Sequence, residues 1–241
     1  CKEQIVLAGP GKNSEVNSVL QDMIAFGAQC VFIDGAFDRQ SSADPLISDQ
    51  VVLASGASLH TDLNTLVSLT RCRVEQLTLP ECIPAHAELA RQCRGRIHRF
   101  SGGVLETLNY ATALLDCREW SGVMKDSEVL FIKGAAGEGL GEALLKKDFP
   151  PKVVVQDGGK IFLPAGIWQR LRQKKVSFAV ERTINLLGVT VNPACPGSVG
   201  LDPHQLLASM GRAIYPVPVL DVVRELKYVR NVQGEKEVSG C

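Results

Sequence analysis

Three short apolar runs, each closed by a glycine, constrain this chain more than any other feature. Ile5-Val-Leu-Ala ends at Gly9, the run from Val31 to Asp34 ends at Gly35, and Val51-Val-Leu-Ala-Ser ends at Gly56. Runs of this length without alternation read as strands buried on both faces, which is how parallel sheets are made. After the first run, Val16, Val19, Leu20, Met23, Ile24 and Phe26 recur at helical spacing, with Asn13 or Ser14 as N-cap and Gly27 as the stop. After the third, Leu59, Leu63, Leu66, Val67 and Leu69 do the same. Strand, glycine turn, helix and strand make a right-handed parallel unit. The expected fold is α/β, a mostly parallel sheet flanked by helices and followed by a second, smaller α/β domain.

Open α/β sheets take ligands at the carboxyl ends of their strands. If the three runs are neighbours, Gly9, Gly35 and Gly56 form a small-residue rim where backbone can approach a ligand. Asp34 would place a carboxylate on that rim, able to hold a ligand or a metal ion or only to bond the turn. Asp38 and Arg39 follow it and could meet a charged ligand, and Ser55, Ser58, His60 and Thr61 lie on the same rim. Gly9-Pro-Gly-Lys-Asn-Ser14 places Gly11 and Lys12 before a helix start, where backbone N–H groups favour an anion. A full phosphate loop would need glycine where Val6 stands and Ser or Thr where Asn13 stands. A weak anion site or a plain tight turn is what remains.

Charge and cysteine usage exclude several classes. Lysine plus arginine equals aspartate plus glutamate, 26 each, so no global field recruits nucleic acid or a membrane surface. The one dense basic run, Arg91, Arg94, Arg96, His98 and Arg99, has only Phe100 beside it and reads as a solvated connector. No apolar run approaches membrane-spanning length. The eight cysteines form no C-x-x-C pair and no Cys/His cluster at ligand spacing, which predicts free thiols, mostly buried, in a cytoplasmic protein. A chain beginning at Cys1 reads as a fragment of a longer one. Homo-oligomerisation stays open.

Pro80, Pro84 and the arginine run weaken the pattern before Ser101-Gly-Gly103, and the domain boundary is expected there, giving halves 1–102, Rossmann-like or phosphate-loop-like, and 103–241. A helix is expected from Val104 through Leu115, then a strand at Glu128 to Lys133. Gly134 to Gly141 lacks the G-x-G-x-x-G spacing of a dinucleotide turn and reads as a mobile or ligand-covering loop. Further short strands are expected at Val153, Ile161, Val176 to Val180, Leu187 to Val191 and Val217 to Val222, with helices near Trp168 and from Leu206 to Ile214. Thr190, Asn192 and Cys195 stand at another strand end, and Asp202-Pro203 reads as an N-cap and first helical residue. Cys195 reads as a packed thiol rather than a nucleophile.

The stretch Ile33-Asp-Gly-Ala-Phe-Asp-Arg-Gln-Ser-Ser-Ala-Asp-Pro45, with Leu53-Ala-Ser-Gly-Ala57, resembles the accessory, reactivase-type subunit of adenosylcobalamin-dependent lysine and ornithine aminomutases. Gly9-Pro10, Thr190-Val-Asn-Pro193, Asp202-Pro203 and Pro218-Val-Leu-Asp221 are similar to its later motifs. The family carries a phosphate loop upstream of the part matched here. The resemblance therefore implies that Asp34 completes a magnesium–nucleotide site begun by that loop. It also implies partners, the aminomutase and an ATPase subunit, and a role in nucleotide-dependent exchange of damaged cobalamin. Asn192 and Asp202 are a second candidate patch. The rival expectation is a stand-alone α/β enzyme for a small phosphorylated or carboxylated metabolite, with Asp34 or Asp38 as base or metal ligand and Arg39 holding the anion.

Overall fold

The computed structural model describes residues 13–34, 43–230 and 236–240. The fold is α/β with two five-stranded mixed sheets. The first helix, α1 (Asn13–Ala25), ends as its sequence predicts: Gly27 adopts φ +93° and the Ala28 N–H reaches back to the Met23 carbonyl. Next come β1 (Val51–Gly56), α2 (Leu63–Leu77), α3 (Pro84–Gln92), β2 (Ile97–Ser101) and β3 (Val104–Leu108). Then α4 (Cys117–Val123), β4 (Val129–Ile132), α5 (Glu138–Lys146), β5 (Lys152–Val155), α6 (Ala165–Gln173) and β6 (Phe178–Val180) follow. The chain closes with β7 (Leu186–Asn192), α7 (Pro203–Ile214), β8 (Val219–Asp221), β9 (Leu226–Arg230) and β10 (Lys236–Gly240).

Sheet B, in the order β3-β2-β4-β5-β6, is parallel across β4, β5 and β6. Its central strand Val129-Leu-Phe-Ile132 is buried at every position. Leu130 and Ile132 join Val153, Val155, Trp120, Leu140 and Trp168 in one core, while Val129, Phe131 and Val154 pack with Ala90, Cys82 and Cys93 beneath α3. A strand apolar at consecutive positions is stable only when both faces are covered, and here both are. Sheet A, in the order β1-β7-β8-β9-β10, is parallel across β1, β7 and β8. Val189, Val191 and Val219, with Leu53, pack on Leu66 and Val74 of α2 and Leu206, Leu207 and Met210 of α7. Among the described residues both helices lie on that one face. The opposite face carries exposed Val52 and Ala54, and β1 is the sheet edge among the described residues.

Several expectations need correction. Residues 31–34 form no strand: Phe32 is 93% exposed and Asp34 is exposed. The run finds no ladder among the described residues, because β1 has β7 as its only neighbour there. Residues 104–115 are not a helix; β3 pairs with β2 through a two-residue turn, Ser101 opposite Val104, with Gly102 and Gly103 at φ +56° and +82°. Two consecutive positive φ values suit glycine, and the turn they make fits the strand twist. The boundary expected at Gly102–Gly103 falls at this turn, and both sheets take strands from each side of it.

Ile161 makes one isolated bridge to Ala136 rather than a strand. The segment Gly134 to Gly141 is no covering loop, since α5 begins at Glu138. A Cβ on Gly139 would sit 2.2 Å from the Leu115 carbonyl, and one on Gly141 2.5 Å from Ile167, so these glycines let helices approach. Cysteines 30, 72, 82, 93, 117 and 195 are free thiols; of these Cys72, Cys82 and Cys93 are buried, and Cys30 is exposed against expectation. No helix among the described residues is long and apolar enough to cross a membrane.

Candidate functional site: the carboxyl rims of the two sheets

Sheet A brings three of the sequence-predicted residues together. β1 and β7 run parallel, Leu53 opposite Val189 through Gly56 opposite Asn192, so Ser55, Gly56 and Asn192 meet at one carboxyl end. Each is engaged there by a local bond. A Cβ on Gly56 would lie 2.4 Å from the Asn192 carbonyl oxygen, which instead accepts the Ala57 N–H. The Ser55 hydroxyl is 2.6 Å from that of Thr70, which donates on to the Leu66 carbonyl. Asn192 Oδ1 accepts the Ala194 N–H and sets the turn into Cys195. Asp202 Oδ1 accepts the Gln205 N–H at 2.7 Å and Pro203 takes the first helical position, the N-cap of α7 read from sequence. His60 accepts the Asp62 N–H, and Asp62 caps α2. Gly9, Gly11, Lys12, Gly35, Asp38 and Arg39 lie outside the described residues.

The denser polar cluster lies on sheet B, where β4, β5 and β6 end side by side. Lys133 follows β4 and Glu181 follows β6; Lys133 Nζ donates to both Glu181 oxygens at 2.6 Å, with side chains 16% and 15% exposed. An ion pair this sheltered stands or falls as a unit, because removing one partner leaves the other charge buried. Asp157, after β5, is 2% exposed and accepts the Gly159 N–H at 2.8 Å. Burial raises its carboxyl pKa, Lys160 opposes the shift and Asp44 adds to it. Lys160 in turn pairs with Asp44 at 3.3 Å. Arg73 reaches across from α2 to donate to the Ile161 carbonyl at 3.0 Å, and burial pulls its pKa to about 10, which leaves it charged at neutrality. Gln76 donates to the Leu163 carbonyl, tying α2 to the same rim.

Two buried nitrogens on this rim have no hydrogen-bond partner, Arg182 Nε, a donor, and His98 Nε2. His98 Nδ1 is 3.0 Å from the Thr107 hydroxyl, and burial keeps the imidazole neutral by depressing its pKa. Cys93 and Cys82 flank the Lys133–Glu181 pair. Burial pushes the Cys93 thiol up to about 11 and raises that of Cys82, which removes both as thiolate nucleophiles at neutral pH. No group of three or more His, Cys, Asp or Glu among the described residues is arranged to hold a metal ion. The rim can fix charge and donate to an anion through Arg182. It shows no nucleophile paired with a base.

Sequence reasoning overlooked Lys133, Asp157, Glu181 and Arg182, although each obeys the rule that singled out Asp34: a charged residue closing an apolar run. Comparison with protein-family models, with curated proteins and with solved structures finds no match to the chain.

Proposed function

We propose that this chain is an accessory, partner-binding protein of an adenosylcobalamin-dependent lysine or ornithine aminomutase, serving nucleotide-dependent reactivation or cofactor exchange. The observation that carries the partner-binding part is the second face of sheet A. Strand β1 exposes Val52 and Ala54 there and, among the described residues, is the edge of the sheet, whereas parallel sheets are ordinarily covered on both sides. Helix α1 adds exposed Val19, Met23 and Ile24. Exposed apolar side chains on a strand face and on a helix are the material from which protein interaction sites are made. The choice of partner rests on the resemblance of residues 33–57, 190–193, 202–203 and 218–221, and the nucleotide part on a phosphate loop upstream.

The test uses the full-length protein with the aminomutase inactivated in the presence of its cofactor. Recovery of mutase activity on adding ATP, magnesium and fresh adenosylcobalamin, together with a complex in sedimentation velocity, is the expected result. No complex and no recovery would remove the reading. A second reading, an enzyme for a small phosphorylated or carboxylated metabolite, draws on Lys133 and Arg182 at the carboxyl ends of parallel strands, where such sheets take ligands. It predicts turnover by the chain alone.

A further inference from the structure

Between α2 and α6, where the layers of the two sheets meet, lies an open groove of about 560 Å³. That is within the range of small-molecule sites, which favour such junctions. Asn64, Ser68, Arg71 and Glu75 line it from one stripe of α2, at the three- and four-residue spacing that puts side chains on one helix face. Gln169 and Arg172 face them from α6, and Trp168 Nε1 donates to Glu75 at 2.9 Å.

The groove sets two guanidiniums, Arg71 and Arg172, against one carboxylate. Its single carboxylate, Glu75, is already engaged on both oxygens: Oε1 accepts Arg71 Nε at 2.9 Å and Oε2 accepts Trp168 Nε1. Arg172 is 3.9 Å from the same carboxylate, outside hydrogen-bond reach, and makes no side-chain hydrogen bond among the described residues. The bond through Nε fixes the Arg71 plane and leaves its paired Nη groups for another oxyanion. Gln169 donates to Ser68 at 2.7 Å, which closes the wall between the two arginines. Two guanidiniums thus share one carboxylate, and the other side-chain oxygens lining the groove, on Asn64, Ser68, Gln169 and Gln173, are neutral and leave one positive charge unmatched. The Cys72 thiol in the floor is raised to about 11 by burial, so it adds no anionic charge at neutrality.

We infer that this groove binds a small molecule bearing a phosphate monoester, held between Arg71 and Arg172. A carboxylate matches one guanidinium fork and one charge, whereas a phosphate dianion offers three oxygens and two charges and engages both forks. The volume leaves room for the group to which the phosphate is attached. The inference is independent of the aminomutase reading, because it uses no residue of the open face of sheet A.

Isothermal titration calorimetry with glycerol 3-phosphate, inorganic phosphate and succinate tests it, on the protein and on Arg71→Gln, Arg172→Gln and Arg170→Gln. Arg170 lies on the same helix outside the groove and serves as the control for surface charge. The expected result is binding of both phosphates at pH 7.5, at least about tenfold weaker in each groove variant and unchanged in Arg170→Gln. Affinity should also fall as pH drops through about 6, where a phosphate monoester takes up its second proton. Circular dichroism melts confirm that the exposed arginine variants fold. No binding of either phosphate, succinate binding as tightly, or an equal loss in Arg170→Gln each overturns the inference.

Discussion

Sheets A and B are built from the same kind of strand, short runs of Val, Leu and Ile without polar alternation, yet they are covered differently. In sheet B consecutive residues serve opposite cores, Phe131 under α3 and Ile132 against the layer of α4, α5 and α6. In sheet A, Leu53 packs against the helices, while its neighbours Val52 and Ala54 face outward. A non-alternating strand implies two covers, and only sheet B has both among the described residues. The difference separates the roles of the halves. Sheet B is a finished support whose carboxyl rim holds Lys133, Asp157, Glu181 and Arg182, and sheet A has one apolar face that no described element covers.

The comparison is tested most severely at Phe131. Its side chain is fully buried and lies perpendicular to the His86 ring at a centroid distance of 6.3 Å. Phe131→Ala removes an aromatic ring from a closed core, so a loss of about 3–5 kcal/mol in denaturant unfolding is expected. A loss below about 1 kcal/mol would mean that the α3 side of sheet B is loosely packed and that the contrast with sheet A is false.

Which parts of this architecture were legible in sequence follows from how local their causes are. The α7 start was legible because Asp202 bonds Gln205, three residues on, and the α1 stop because Gly27 supplies a positive φ. Strands β1, β4, β5 and β7 were legible as apolar runs. The helix expected over 104–115 failed because apolar content without a clear period suits either element, and a glycine pair that reverses the chain settled it. The strand expected over 31–34 finds no neighbour among the described residues. The charged residues closing the sheet B strands were within reach of the rule applied to Asp34, but their pairing and the arginine groove were not, since both depend on distant partners: Lys133 with Glu181 across 48 residues and Trp168 with Glu75 across 93.

A smaller effect is expected from pH. His98 is fully buried in sheet B and its folded pKa lies below the ordinary 6.5. Between those values the unfolded chain binds more protons, so stability rises with pH, is complete above 6.5 and is lost as pH falls through the folded value. One proton sets a ceiling of about 1.4 kcal/mol per pH unit. His86, also depressed by burial, works in the same direction. Asp157, raised by burial, works in the opposite one, losing stability as pH rises from 3.8. Denaturant melts of His98→Gln between pH 5 and 7 should show a flatter rise than the parent protein. An unchanged slope would show that His98 already has a protonated-state partner and that sheet B is less closed than its packing indicates.

The smallest effect on folding is expected on the open face of sheet A, and it carries the most information. Val52 is 55% exposed and Ala54, two residues on along the same strand face, is exposed as well. Replacing each with serine removes apolar surface that already meets water, so each should change stability by no more than about 0.5 kcal/mol. A cost of 2 kcal/mol or more would mean that this face is covered within the chain itself, and the contrast between the sheets would collapse. If the cost is small, the same variants become clean probes of association. A Val52→Ser, Ala54→Ser protein that melts like the parent yet no longer sediments with the aminomutase would place the contact on this face. Retained binding would move the contact elsewhere and leave the exposed strand edge unexplained.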